Sequence, residues 1–163
     1  MLKYINIVGD LKKGGLKLRI STKGRYALRM LVDLAEHQGD GFIALKDIAK
    51  RQNISKKYLE QIVPVLNKSS ILQTNRGFQG GYRLAAAPNK ITVREILRLT
   101  EGSLSPLACI DDSNSIKCER SEGCATLYVW QGLKKVIDDY LESITLQDIL
   151  DHKIESYSND YII

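Results

Sequence analysis

Between Ile43 and Leu66 the apolar residues fall into two short helical registers broken by a tight polar turn, a pattern few folds can accept. Ile43-Ala44-Leu45 leads into the first helix, Lys46 to Arg51, where Leu45, Ile48 and Ala49 share an inward face. Asn53-Ile54-Ser55 then supplies a turn and a capping hydroxyl. The next helix begins at Lys56 and places Tyr58, Leu59, Ile62, Val63 and Leu66 on its apolar side. Two short helices joined in this way, the second opening on polar and basic residues, form the helix-turn-helix pattern. Pro64 lacks an N–H late in the second helix, so a kink or early fraying is expected there.

The flanking segments complete a larger design. From Thr22 to about His37, Tyr26, Ala27, Met30, Leu31 and Leu34 recur with helical period, with Ser21 or Thr22 as cap and Gly39-Asp40-Gly41 as stop. Ile71 to Thr74 and Gly81 to Leu84 read as strands around Asn75-Arg76-Gly77-Phe78-Gln79-Gly80, a glycine-rich turn with a basic tip. A hairpin directly after a helix-turn-helix is a wing. Beyond Pro88, Thr92 can cap a helix from Val93 to about Thr100, and a cysteine-bearing loop follows from about Glu101 to Gly123. A longer amphipathic helix, from about Ala125 to Leu141, carries Leu127, Trp130, Leu133, Ile137 and Leu141 along one stripe. So small a C-terminal module cannot cover that stripe alone, which points to pairing with a second subunit. A short helix from Thr145 to Leu150 and a loose tail to Ile163 are expected to end the chain.

The expected fold is therefore mainly α with a small β-hairpin wing: a winged helix-turn-helix over 18–87, then a cysteine loop and long dimerisation helix over 88–151, then a flexible tail over 152–163. Residues 1–17 read differently. Lys12-Lys13-Gly14-Gly15 is what a translated purine-rich ribosome-binding sequence would encode, and Leu18 could correspond to a UUG start. The segment is expected to be a mis-called or disordered extension, and the intact mass of protein expressed from its own operon tests this.

Charge divides along the same boundary. Residues 18–87 carry twelve Lys/Arg against five Asp/Glu, while 88–163 carry eight against thirteen. A basic module joined to an acidic one suits a polyanion binder with a second task behind it. On the second helix of the motif, Lys57, Glu60 and Gln61 share a face. Glutamate can accept a bond from cytosine N4, Gln61 can address adenine N6 and N7, and Lys57 either guanine or phosphate. Tyr58 stands beside them, and Arg76 at the wing tip suits a narrow minor groove. Lys23, Arg25, Lys46 and Lys56 are candidate phosphate contacts. Double-stranded operator DNA is the expected partner.

The chain holds three cysteines, Cys109, Cys118 and Cys124. An odd number argues against a structural disulfide framework, and the spacing is too loose for zinc-ribbon knuckles. Three thiolates in one loop suit an iron–sulfur cluster. Zinc held by three thiolates and one further ligand is the alternative. Catalysis finds no support: only His37 and His152 are available, and Gly77 to Gly81 lacks the Lys-Ser/Thr of a phosphate-binding loop. There is no apolar run of the roughly 18 residues that a membrane helix needs, and no signal-peptide pattern, so a cytoplasmic protein is expected.

From about Leu18 to Leu150 the chain resembles the iron–sulfur cluster regulator family of winged-helix transcription factors, the IscR and NsrR type. The resemblance is carried by Ser21-Thr22-Lys23-Gly24-Arg25-Tyr26-Ala27, Ile54-Ser55-Lys56-Lys57-Tyr58-Leu59-Glu60-Gln61, Arg76-Gly77-Phe78-Gln79-Gly80-Gly81-Tyr82, and Cys118 through Cys124 to Trp130. It implies a homodimeric repressor (or activator) that contacts DNA through Lys57, Glu60, Gln61 and Arg76. It also implies that Cys109, Cys118 and Cys124 hold a cluster, [2Fe-2S] ahead of [4Fe-4S], reporting iron, redox or nitric-oxide status. The fourth ligand does not carry over. Where the IscR type has histidine three residues after its last ligating cysteine, this chain has Leu127; where the NsrR type has aspartate near the start of its first helix, it has Arg25. Asp111, Asp112, Glu119, Glu122, a partner-subunit residue or an exogenous ligand could substitute. The alternative within the same fold is a cluster-free regulator controlled by thiol oxidation or by a cysteine-metabolism partner enzyme.

Overall fold

The computed structural model describes residues 20–37, 39, 41–77, 80–111 and 121–159, with side chains as far as Glu155 in the last helix. The helices are α1 (Thr22–His37), α2 (Leu45–Gln52), α3 (Lys56–Lys68), α4 (Val93–Glu101), α5 (Leu127–Glu142) and α6 (Leu146–Asn159). Between α3 and α4 lies an antiparallel hairpin of β1 (Leu72–Asn75) and β2 (Gly81–Leu84), paired from Leu72↔Leu84 to Asn75↔Gly81. The expected architecture of helices with a small wing is the one observed.

The core follows from the helical spacing of large apolar groups. Ala27, Met30, Leu31 and Leu34 of α1 are fully buried, as are Ile48 of α2 and Leu59, Ile62 and Leu66 of α3. Leu72 and Leu84 of the hairpin close one side of this cluster. Ile91, Ile96 and Leu146 belong to it as well, so segments beyond residue 87 complete the core of the winged helix. A smaller cluster of Val93, Leu97 and Leu104 continues it towards Leu141, Ile144 and Ile149.

The wing is docked by backbone. Ile43 and Tyr82 exchange N–H···O bonds, both 2.9 Å, which adds a third short bridge beside β2. Gly81 permits this approach, since a Cβ there would lie 2.4 Å from the carbonyl oxygen of Ile43. Gly81→Ala is accordingly expected to cost about 1–3 kcal/mol, read by urea unfolding.

Three expectations need correction. Helix α3 does not fray at Pro64 but continues to Lys68. Pro64 is exposed, so the carbonyl that it leaves unpaired faces water, while buried Ile62, Val63 and Leu66 hold the last turn in place. Helix α5 starts at Leu127, not Ala125. Helix α6 does not stop at Leu150, and the tail expected to be flexible from residue 152 is helical to Asn159. Two devices sustain it. Asp148 accepts from the N–H and hydroxyl of Thr145 at 2.8 and 2.6 Å, a capping arrangement. Farther along, Lys153 Nζ donates to both carboxylate oxygens of Glu36 on α1 at 2.7 and 2.8 Å.

Candidate nucleic-acid interface and cysteine loop

The start of α3 is set by local chemistry. Asn53 ends α2 in the left-handed region at φ 50°, and the Ile54 N–H donates to the Ala49 carbonyl at 3.0 Å. Ser55 then caps α3, its hydroxyl accepting from the Tyr58 N–H at 3.2 Å. Lys56, Lys57, Glu60 and Gln61 are exposed on the resulting helix, and Lys56 Nζ lies 3.2 Å from Glu60 Oε1. Tyr58 leaves that polar face. Its ring is half-buried and meets the Tyr26 ring edge-on, with centroids 5.3 Å apart.

Arg76 is exposed at the end of β1, before Gly77 at φ 123°. Phe78 and Gln79 lie outside the described residues. The base of the wing holds Arg83, whose guanidinium stacks 4.8 Å over the Phe42 ring while Nε donates to Gln73 at 2.7 Å. Lys23 and Arg25 lie on the first turn of α1 and Lys46 on the first turn of α2; Arg25 and Lys46 are exposed. The α1 N-terminus is tied to the end of α4. Glu101 Oε1 accepts from the Ser21 N–H at 3.2 Å and its hydroxyl at 2.8 Å, and a Cβ on Gly24 would come within 2.1 Å of the same oxygen.

Beneath this surface lies a network that sequence reasoning missed. Asp33 on α1 is fully buried, and its carboxylate accepts from Arg51 Nε and Nη2 and from Gln52 Nε2 at 2.6–3.2 Å. Burial alone would push this carboxyl up. Hydrogen bonds from Arg51 and Gln52, with the charges of Arg51 and His37, outweigh burial and hold it below the ordinary carboxylate range. The available signal was an acid inside the apolar register of α1, which demands a buried partner.

Cys109 lies in a 3-10 turn, Ala108–Ile110, and is exposed; Cys124 is half-buried just ahead of α5. The Cys124 thiol is held below its ordinary pKa by the Thr126 hydroxyl, 3.5 Å from Sγ, and by the Thr126 backbone. Thr126 is in turn oriented by Trp130, whose Nε1–H donates to its hydroxyl at 3.2 Å. Cys118, Asp112 and Glu119 lie outside the described residues. Among the described residues no group of three or more His, Cys, Asp or Glu gathers as a metal site. Leu127 is half-buried in the first turn of α5, and Glu122 is exposed. His37 is exposed on α1 with Nδ1 2.9 Å from the Asp33 carbonyl oxygen, and exposed His152 lies far along α6. Neither histidine joins the cysteines in sequence or in a described cluster.

Along α5 no residue is buried. Leu127, Trp130, Ile137 and Leu141 of the expected stripe are half-covered, while Tyr128, Val136 and Tyr140 are 75%, 65% and 64% exposed. No helix among the described residues is long and apolar enough to cross a membrane.

Known proteins share this arrangement. T. potens IscR, a solved structure, is 38% identical with a TM-score of 0.63, covering 85% of this chain and 90% of its own. The solved structure of CymR, the global cysteine regulator of Bacillus subtilis, is 36% identical with a TM-score of 0.63, covering 82% and 97%. The transcriptional regulator IscR of Pectobacterium carotovorum is 34% identical over 83% of this chain and 81% of its own. The family model described as Rrf2, iron-dependent transcriptional regulator, matches residues 20–152. A winged helix-turn-helix with its core, hairpin and C-terminal helices in this order thus has its place: the chain belongs to the Rrf2 family of DNA-binding transcriptional regulators.

Proposed function

We propose that the protein is a homodimeric repressor that reads operator DNA through α3 and the wing, and whose grip on DNA is set by the state of its cysteine loop. The observation that carries this reading is the pairing of two unsatisfied surfaces on one chain. The exposed polar face of Lys57, Glu60 and Gln61 suits base edges in the major groove. Lys23, Arg25, Lys46 and Lys56 would meet phosphates, and Arg76 the minor groove. The exposed apolar face of α5 suits a second copy of the chain. Val129, Leu133, Val136 and Tyr140 recur at alternating spacings of four and three, the pattern of a helix seam. Gly132 stands among them with open space around it, so a partner helix can approach closely.

The cysteine donor set fits a thiolate-ligated iron–sulfur cluster. Cys109 is exposed, Cys124 has its thiolate favoured by Thr126, and both are free thiols. Cys109, Cys118 and Cys124 would hold it, with Asp111, Asp112, Glu119, Glu122 or a partner-subunit group completing the set. A bound and a lost state of that cluster would supply the two ends of a switch.

One feature favours a second reading. The residue three positions beyond Cys124 is Leu127, an apolar residue in the first turn of α5 that cannot ligate. A cluster-free regulator controlled through its thiols needs no ligand there, and one relative of this fold is a global cysteine regulator. Anaerobically purified protein separates the readings. We expect a visible chromophore with bound iron and sulfide, lost on Cys118→Ser; colourless, iron-free protein that still binds DNA would overturn the cluster and leave thiol control.

A further inference from the structure

The DNA-reading helix has a set pose only if something fixes it to the rest of the fold, and the contacts that do so converge on one face of α1. Arg29 and Asp33 stand one turn apart there. Asp33 takes the side chains of Arg51 and Gln52 from the last turn of α2. Arg29 Nε donates to Gln52 Oε1 at 3.2 Å, and its Nη2 donates to the Gln52 main-chain carbonyl. Gln52 is the residue before the left-handed Asn53, so these bonds grip the backbone where the chain turns from α2 into α3. The same guanidinium lies 5.6 Å from the centroid of the Tyr26 ring, which meets Tyr58 of α3 edge-on. Arg29 thus holds the turn by hydrogen bonds and the first turn of α3 through an aromatic pair.

We propose that Arg29 is a positioning residue for sequence reading: its bonds to Gln52 and its contact with the Tyr26 ring, which in turn meets Tyr58, set the pose of α3, beside the buried Asp33–Arg51 pair. Several observations separate this from a generic surface arginine. Its partners are a main-chain carbonyl and a side chain already committed to a buried carboxylate, so the contact is anchored. Arg29 is exposed, yet its guanidinium is engaged by both oxygens of Gln52 and lies over an aromatic ring, intramolecular partners that an arginine serving only as a phosphate contact does not need. Arginine suits the task because its planar fork can span two acceptors of one residue while its face covers an aromatic ring. Lysine gathers its donors at one point and has no planar face to lay over the ring.

The pose matters more for base edges than for phosphates. A bidentate base contact tolerates little misplacement, whereas attraction to phosphate changes slowly with distance. Loss of Arg29 should therefore lower specific affinity and spare non-specific affinity. Loss of a phosphate contact would weaken both and reduce the salt slope by about one.

This inference rests on the reading that α3 enters the groove, and the experiment separates the two. A duplex is first selected from a random pool by full-length wild-type protein, and a scrambled duplex of the same composition serves as control. Arg29→Met, Arg29→Lys and Gln61→Ala are compared on both duplexes across a salt series, with helical content checked by circular dichroism. For Arg29→Met we expect about tenfold weaker binding to the selected duplex, with scrambled binding within about twofold and an unchanged salt slope. Arg29→Lys should fall between Arg29→Met and wild type. Equal losses on both duplexes with a reduced salt slope, or no loss on either, would overturn the positioning role. If Gln61→Ala abolishes selectivity while Arg29→Met keeps it, only the positioning role falls. If Gln61→Ala changes nothing, the α3 reading falls and the inference with it. Should Arg29→Met misfold, Gln52→Ala removes the side-chain half of the same contact and faces the same comparison.

Discussion

Val136→Glu is expected to leave the fold intact, turn the protein into a monomer, and weaken operator binding by about a hundredfold or more. Val136 is 65% exposed on a helix with no buried residue, so the substitution removes no contact within the protomer's own core. In the proposed dimer, Val136 lies on the seam with Val129, Leu133 and Tyr140, and facing helices would bring two carboxylates together in an apolar layer. The DNA effect exceeds the loss of any single contact because a dimer engages two half-sites, the second at high effective concentration. Light scattering and size-exclusion chromatography read the assembly, and titration of a selected duplex reads the affinity. A dimer that survives Val136→Glu with unchanged DNA binding would remove α5 as the subunit contact.

Asp33→Ala is expected to produce the largest loss of stability. Asp33 is fully buried, whereas the Arg51 side chain is one-third exposed. Breaking a fully buried pair costs about 3–5 kcal/mol; partial exposure of the surviving guanidinium lowers the expectation to roughly 2–4 kcal/mol. The pH dependence follows from the direction of the shift. The folded-state carboxyl lies below its ordinary 3.8, so its contribution is fully present above that value and is lost as pH falls through the folded-state pKa. Wild-type protein should therefore lose more stability than Asp33→Ala between neutral pH and about pH 3, and the two should converge in acid. Urea unfolding at both pH values reads this. Equal acid sensitivity in the two proteins would mean that the pair contributes no net stabilisation.

Much of the fold was legible because it is encoded locally. The residue caps of α3 and α4, Ser55 and Thr92, lie where their sequence context puts them, each accepting from an N–H three residues on. The period of Ala27, Met30, Leu31 and Leu34 is likewise local. What escaped is what depends on distant partners. Nothing near Lys153 in sequence announces Glu36, yet their pairing accompanies the extra length of α6. Pro64 carries a strong local stop signal, overridden because its neighbours are buried and its own side faces water. Tyr58 reads equally well as a base-contacting or a core residue, and only its contact with Tyr26 decides where its ring goes. Glu101 reads as the start of the cysteine loop, but it ends α4, and Gly24 makes room for its carboxylate at the start of α1. In the candidate site, the exposed face of α3 could be read from helical spacing alone. The cysteine loop could not be resolved to a ligand set, because its spacing has no period and its middle residue, Cys118, lies outside the described residues.

Control of DNA binding by the cysteine loop joins the two halves of the proposed function. Its most direct test measures the affinity of anaerobically purified protein for a selected duplex before and after iron is removed by chelator, with Cys109→Ser/Cys118→Ser/Cys124→Ser protein alongside. A change of about tenfold or more on iron loss, with the serine variant fixed at the iron-free affinity, is the predicted result. Iron-bearing protein whose affinity is unchanged by iron removal, and equal to that of the serine variant, would contradict it.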